Sequence, residues 1–337
     1  MAAPVIVLET VQAAFEVTAG TAVAATRVVD FEPGKALLKR HINTIAVPRA
    51  GSRSGVYQAY AGAEAVELDI TMMPSTDDWP WWMNLFLAPL VSGTGAGTAK
   101  TYTQTPSDTV ATIGPSASAI QSATFEVGGK DTWPTPFRIA GVIGKTLDLT
   151  ITPESVWSAK VTLMGMLTTQ NALTASLSNR AIVAYATGPQ TKVYLDTTAS
   201  AFGTTQLIGR GVSADIKIDL RPVERRTLDG TTTPYRLALP ESYVVSTKLT
   251  AEFSSLAEYN VWAAKTSQRV QLAYTGAAIS GGGNHSIVLN QGGVWDTLDI
   301  VDDKGVWAIT LQSEQIFDAS ISAAMQSVTV NTVSPLP

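Results

Sequence analysis

Val66-Glu67-Leu68-Asp69-Ile70-Thr71-Met72 runs on into Ser75-Thr76-Asp77-Asp78-Trp79-Pro80-Trp81-Trp82-Met83, and the chain writes this plan a second time. The second copy is Val245-Ser246-Thr247-Lys248-Leu249-Thr250-Ala251, then Ser255-Leu256-Ala257-Glu258-Tyr259-Asn260-Val261-Trp262-Ala263. In both, apolar and polar residues alternate, the period of a strand with one buried face. In both, the alternation ends at Ser-x-x-Asp/Glu, the capping-box signature of a helix start. An aromatic follows the acid and a Trp comes one helical turn later, on the same face. Ser75, Asp78, Trp79 and Trp82 each stand 180 positions before Ser255, Glu258, Tyr259 and Trp262. A repeated strand-and-helix unit points to a mainly β chain with one helix per half.

The totals fit that plan. A chain of 337 residues has room for about two domains of ~100–200 residues each. Charged residues are 15%, below the ~25% of ordinary soluble proteins, which leaves much surface for contacts instead of water. A net charge of −5 argues against a general nucleic-acid binder. Cysteine is absent, so disulfides and thiolate metal sites are excluded. Met1 to Leu8 lacks the basic region of a secretory signal, and the most apolar stretch, Trp79 to Val91, is too short and too proline-broken for a membrane span. No membrane association is expected.

Along the chain, short strands are expected at Val5–Thr10 and Arg27–Phe31. Glu32 to Gly55, with Lys35, Lys39, Arg40, His41, Arg49 and Arg53, reads as an irregular basic hairpin tip before a long strand from Tyr57 to Met72. A helix is expected from about Asp77 to Leu87, with Trp79, Trp82, Met83, Phe86 and Leu87 on one face. Strands follow at Ala123–Val127, Phe137–Ala140, Lys145–Thr152 and Val156–Met166. In the second half, Val212 to Leu220 alternates cleanly, and Arg221 to Gly230 is again a basic tip. Leu147 through Val161 match Trp307 through Ile321 at an ungapped offset of 160. The expectation is a tandem duplication, domains 1–180 and 190–337.

Catalytic schemes fail on inventory. His41 and His285 are the only histidines, neither has a partner for metal ligation or a triad, and both read as solvated loop residues. Gly93 to Thr101 lacks the Gly before Lys100 that a phosphate loop requires. Asp77/Asp78 reads as a helix first turn and Asp302/Asp303 as a turn. No enzyme, cofactor or metal is expected.

Several segments resemble one family. Leu8-Glu9-Thr10 with Gly20-Thr21-Ala22-Val23-Ala24-Ala25-Thr26, Ala123 to Val127, Phe137 to Gly141 through Val161-Thr162-Leu163-Met164-Gly165, and Val245 to Gly276 are similar to the major tail tube proteins of long-tailed, siphovirus-type bacteriophages. The resemblance implies a β-sandwich with a flanking helix and a long hairpin in each half. It also implies stacked rings whose inner wall is a β-barrel, a tube that conducts double-stranded DNA without binding it specifically. The implied partners are the chain itself, the tape-measure protein and the tail terminator and tip proteins, in a virion tail assembled in the host cytoplasm. Two domains per chain give a homotrimeric ring, a pseudo-hexamer; a ring of six chains is the alternative. Glu67, Asp69, Thr71, Ser213, Asp215, Lys217 and Asp219 would face the channel, and Lys39, Arg40, Arg49, Arg53, Arg221, Arg225 and Arg226 would make ring-to-ring contacts. The competing expectation is a carbohydrate-binding or adhesive β-sandwich using exposed aromatics such as Trp81 and Trp133.

Overall fold

A computed structural model of the chain describes residues 9–47, 58–87, 93–95, 97–106, 120–129, 135–179, 184–228 and 230–333, with single positions 50, 56 and 113. The first half holds β1 (Glu9–Phe15), β2 (Arg27–Val28), β3 (Ala36–Val47), β4 (Gln58–Met72), α1 (Trp79–Met83), β5 (Lys100–Gln104), β6 (Ala123–Gly129), β7 (Phe137–Ile151), β8 (Ser158–Gly165) and β9 (Leu167–Gln170). The second holds β10 (Thr191–Thr197), β11 (Gly211–Asp219), β12 (Val223–Arg225), β13 (Arg236–Ala238), β14 (Val244–Glu252), α2 (Ala257–Ala263), β15 (Gln268–Ala278), β16 (Asn284–Asp303), β17 (Val306–Gln315) and β18 (Met325–Asn331). The fold is mainly β, as the alternating patterns require.

The two halves have the same strand order. It is β1–β6–β7–β8–β4–β3 in the first and β10–β15–β16–β17–β14–β11 in the second, antiparallel throughout. β7 and β16 are long because each takes two successive sets of partners. Their N-terminal parts pair with β6 or β15, and their C-terminal parts, beyond a bulge, with β8 or β17. The halves meet where β11 pairs with the C-terminal part of β7, placing Ile216 opposite Leu149, Lys217 opposite Asp148 and Ile218 opposite Leu147. A run of paired strands β3–β4–β8–β7–β11–β14–β17–β16 therefore forms, with an open edge at each end among the described residues. β18 and β9 occupy matching places, each beside the N-terminal part of β16 or β7. β5, from the first half, continues the outer sheet of the second by pairing with β18.

α1 is buried on all sides, not on one face, because both halves pack on it. Trp81 stacks on Phe15 at 5.0 Å and meets Trp82 edge-on at 5.2 Å, while the Trp79 indole N–H donates to Ser327 Oγ of β18 at 3.0 Å. A buried Trp81 cannot serve as a sugar-stacking surface, and Trp133 lies outside the described residues.

The capping boxes are half realised. Ser75 Oγ accepts the Asp78 N–H at 3.1 Å, but the Asp78 carboxylate, expected to complement the helix dipole, is buried in an ion pair with Arg27. In the second copy Glu258 pairs with Arg210 at 2.8 Å. The acid of each box thus ties its helix to a strand segment beside it.

Other expectations are corrected. Glu9–Phe15, read as the end of a strand and the start of a loose segment, is β1, while Met1 to Leu8 lie outside the described residues. Half of the basic tip is strand: β3 spans Ala36–Val47. β2 stops at Val28, and the expected helix to Leu87 is regular only over Trp79–Met83. Phe137–Ala140 and Lys145–Thr152 are one strand, β7. His285 is buried at the start of β16, its Nδ1 3.2 Å from Thr76 Oγ1. The offset of 160 mismatches strands, since it sets Leu147 of β7 against Trp307 of β17. By pairing, Val161 sits between Ile70 and Leu147 as Leu311 sits between Leu249 and Leu298, an offset of 150.

Candidate functional site, a polar sheet face with two open edges

Val66, Leu68, Ile70 and Met72 of β4 are buried, so Glu67, Asp69 and Thr71 stand on the other face of the sheet. On β11, Ala214, Ile216 and Ile218 are buried, which places Ser213, Asp215, Lys217 and Asp219 on that same polar face. The charges interleave across strands. Glu67 pairs with Lys145, and Asp69 accepts from Lys39 at 2.6 Å and Thr162 at 2.8 Å. Asp148 stands between Lys160 and Lys217, and Asp215 opposite Lys248. Among the described residues of this ladder every cation is a lysine. Burial pushes the Asp69 carboxyl up, but the hydrogen bonds from Lys39 and Thr162 and the charges of Lys39 and Lys160 outweigh it, holding it below the usual carboxylate range.

The two edges of this sheet are chemically prepared. Among the described residues β3 pairs with β4 alone, and the C-terminal part of β16 with β17 alone. Leu149 of β7 lies opposite Ala159, and Ile300 of β16 lies opposite Ile309, in matching places. Leu149, covered by β11, is 1% exposed; Ile300, with no strand beyond it, is 53% exposed. An exposed row of backbone donors beside apolar side chains is a template for another strand.

The basic residues divide. Lys39 joins the polar face, and Arg40 chelates Glu64 at 2.6 and 3.1 Å. Arg49 and Arg53 lie outside the described residues. Arg221 reaches Glu241 at 3.3 Å, and Arg225 sits opposite Arg236 in the β12–β13 hairpin. Arg226 bonds Glu224, the Thr232 carbonyl and the Glu64 carbonyl of β4. The Glu64 N–H donates to the Thr232 carbonyl at 2.9 Å, so the second tip folds back on the first half of its own chain.

A protein-family model described as "Phage tail tube protein" matches residues 8–306, nearly the whole chain. The chain belongs to the phage tail tube family. It is a structural family, and it places this tail tube protein in the virion tail. No curated protein matches the chain. No helix among the described residues is long and apolar enough to cross a membrane.

Two carboxylates organise the strand ends of the tail tube protein: Glu16, which the sequence expectations do not single out, and Asp196, which they align with Glu9 and the structure aligns with Glu16. Glu16, after β1, accepts from the Gly20 and Gly141 N–H groups and from the Ser122 and Thr124 hydroxyls, all at 2.8 Å. Asp196, 180 positions on, accepts from the N–H groups of Gly203, Thr204 and Thr205. The signal was present: a lone acid inside an apolar run, repeated at the offset of the capping boxes.

Acid should loosen the second half. Burial raises Asp318, yet the Arg269 hydrogen bond, the Ser320 hydroxyl and N–H and the Arg269 charge hold it below the usual range; for Glu258, Arg210 does the same against burial. A depressed folded-state value contributes stability that is present above the unfolded value near ~4 and lost as pH falls through the folded one. The melting temperature of the unassembled chain should therefore be steady at pH 5–7 and fall below about pH 4, and Asp318→Asn should flatten that fall. An unchanged acid limb in the variant would refute the assignment.

Proposed function

We propose that the chain is a tandem pair of tail-tube domains, 1–180 and 190–337, and that three chains close into a ring whose stacks form the channel for DNA. The observation that carries this reading is the seam between the halves. β7 meets β11 inside the chain, and the free edges, β16 and β3, are the same two positions of the repeat. Applying the internal pairing once more sets Leu38 of a second copy opposite Ile300 and Lys39 opposite Asp299, reproducing Ile216 with Leu149 and Lys217 with Asp148. Each copy offers one edge of each kind, so the contact is heterologous and a ring satisfies every edge. Six domains in three chains then surround the axis.

In that ring Glu67, Asp69, Thr71, Ser213, Asp215, Lys217 and Asp219 line the channel. The acids and lysines of the wall largely neutralise one another, and among its described residues there is no bidentate guanidinium fork of the kind that holds phosphate most firmly, so a polyanion passes without retention. Purified protein at high concentration should give hollow tubes with three-fold end views in negative-stain electron microscopy. Six-fold rings of whole chains would remove the pseudo-hexamer, and a monomer at every concentration would remove the ring.

The ring-to-ring role is narrowed by β3. Deleting Lys39 to Arg53 would remove a seam strand, so it cannot isolate stacking. We assign stacking to the Arg49 and Arg53 tip, and Arg49→Glu with Arg53→Glu should leave rings that do not elongate. Long tubes from that double variant would overturn the assignment.

A further inference from the structure

The outer layer carries a second unfilled position, away from the sheet edges. Trp157 and Trp307 each lie four residues before the matched pair Val161 and Leu311. Trp157 is fully buried: its indole N–H donates to Thr191 Oγ1 at 2.9 Å, and Tyr274 of β15 packs against its ring at 6.1 Å. Both covering residues belong to the second half. Trp307 has the same place in the second half and is 66% exposed. The helices repeat the contrast. Trp79 is fully buried beneath β18 of the second half, whereas its counterpart Tyr259 is 42% exposed. At both positions the second half covers an aromatic of the first, while its own counterpart stands exposed.

We infer that Trp307 and Tyr259 form a socket filled by a second copy of this chain, specifically by the outer sheet of that copy's first half. This rests on the ring reading. The occupant follows from matching strands: β15 and β10 cover Trp157, and their counterparts are β6 and β1, while β18 covers Trp79 and its counterpart is β9. Leu167 of β9 is itself an exposed apolar side chain. The copy that supplies β3 to the β16 edge is the copy that supplies β1, β6 and β9 here, so one neighbour fills both. A large aromatic sealed at an interface centre is the residue type that dominates binding energy, with Trp foremost.

The experiment pairs two substitutions with a crosslink. Trp157→Ala opens a cavity in the core and should lower the melting temperature of the unassembled chain. Trp307→Ala removes an exposed ring, so it should melt as the native chain does but need at least tenfold more protein to form rings. A photoreactive benzoylphenylalanine at position 307 should crosslink, in assembled native-length chains, to peptides covering 9–15 or 123–129 of another copy. Native tubes together with unimpaired assembly of Trp307→Ala, or crosslinks to the 49–53 tip of a stacked ring, would overturn the socket while leaving the ring intact. Failure of the native chain to assemble would instead remove the ring reading beneath it.

Discussion

Glu16→Ala should destabilise the unassembled chain by about 3–5 kcal/mol, a large share of the ~5–15 kcal/mol that holds a typical domain. The carboxylate is buried and takes four hydrogen bonds at 2.8 Å, from the turn after β1, from the start of β6 and from the β7 bulge. Charge-assisted bonds contribute about 1.5–3 kcal/mol each, not additively, and alanine strands two backbone N–H groups and two hydroxyls. The bulge has no substitute: Gly141 has φ +65°, and its N–H points at Glu16. Glu16→Gln is the sharper variant, because its amide group turns a donor toward donors while keeping the shape. It should cost about half as much. Glu154→Ala, at an exposed turn, should stay within ~0.5 kcal/mol. Denaturant unfolding would measure all three, and a Glu16→Ala midpoint equal to that of Glu154→Ala would refute the hub.

Strands with one buried face were readable because the alternation survives in a single chain. β4, β11 and β14 each show it, and each has a neighbour on both sides. β3 was read as a loop for a physical reason. It has a strand on one side only, most of its residues are exposed, and Lys39, Arg40 and His41 mask the Ala36 and Leu38 positions that match Ala214 and Ile216. The closing hairpins were matched at the wrong offset because their turns differ in length: Thr152 to Trp157 joins β7 to β8, but Lys304-Gly305 alone joins β16 to β17. Aligned by pairing, Val156-Trp157 falls on Val306-Trp307, a dipeptide identity present in the sequence from the start. The long-range ion pairs, Arg27 with Asp78 and Arg269 with Asp318, had no local signal, since each partner is chosen by the fold and not by spacing.

Ile300→Glu should abolish ring closure while leaving the single chain almost untouched. In the isolated chain the side chain is more than half exposed, so exchanging it for a carboxylate belongs to the surface class of substitutions, within ~0.5 kcal/mol. In the ring its environment becomes that of Leu149, which β11 seals completely. A carboxylate there must leave water among apolar side chains, with Leu38 directly opposite and the nearest cation of that face of β3, Arg40, already chelating Glu64. Effective penalties for such an ion are several kcal/mol, and three seams pay it in every ring. Since ~1.4 kcal/mol is a factor of ten, each seam weakens by a thousandfold or more. Asp299 supplies the internal check, because it neighbours the same seam yet faces the polar side. Asp299→Asn removes only the solvent-screened pairing with Lys39, and should raise the assembly concentration a few-fold at most. Analytical ultracentrifugation across protein concentration separates the two: Ile300→Glu should remain a folded single chain where Asp299→Asn and the native protein form rings. Equal assembly of all three would mean that β16 does not meet β3, and the open edges would then need another partner.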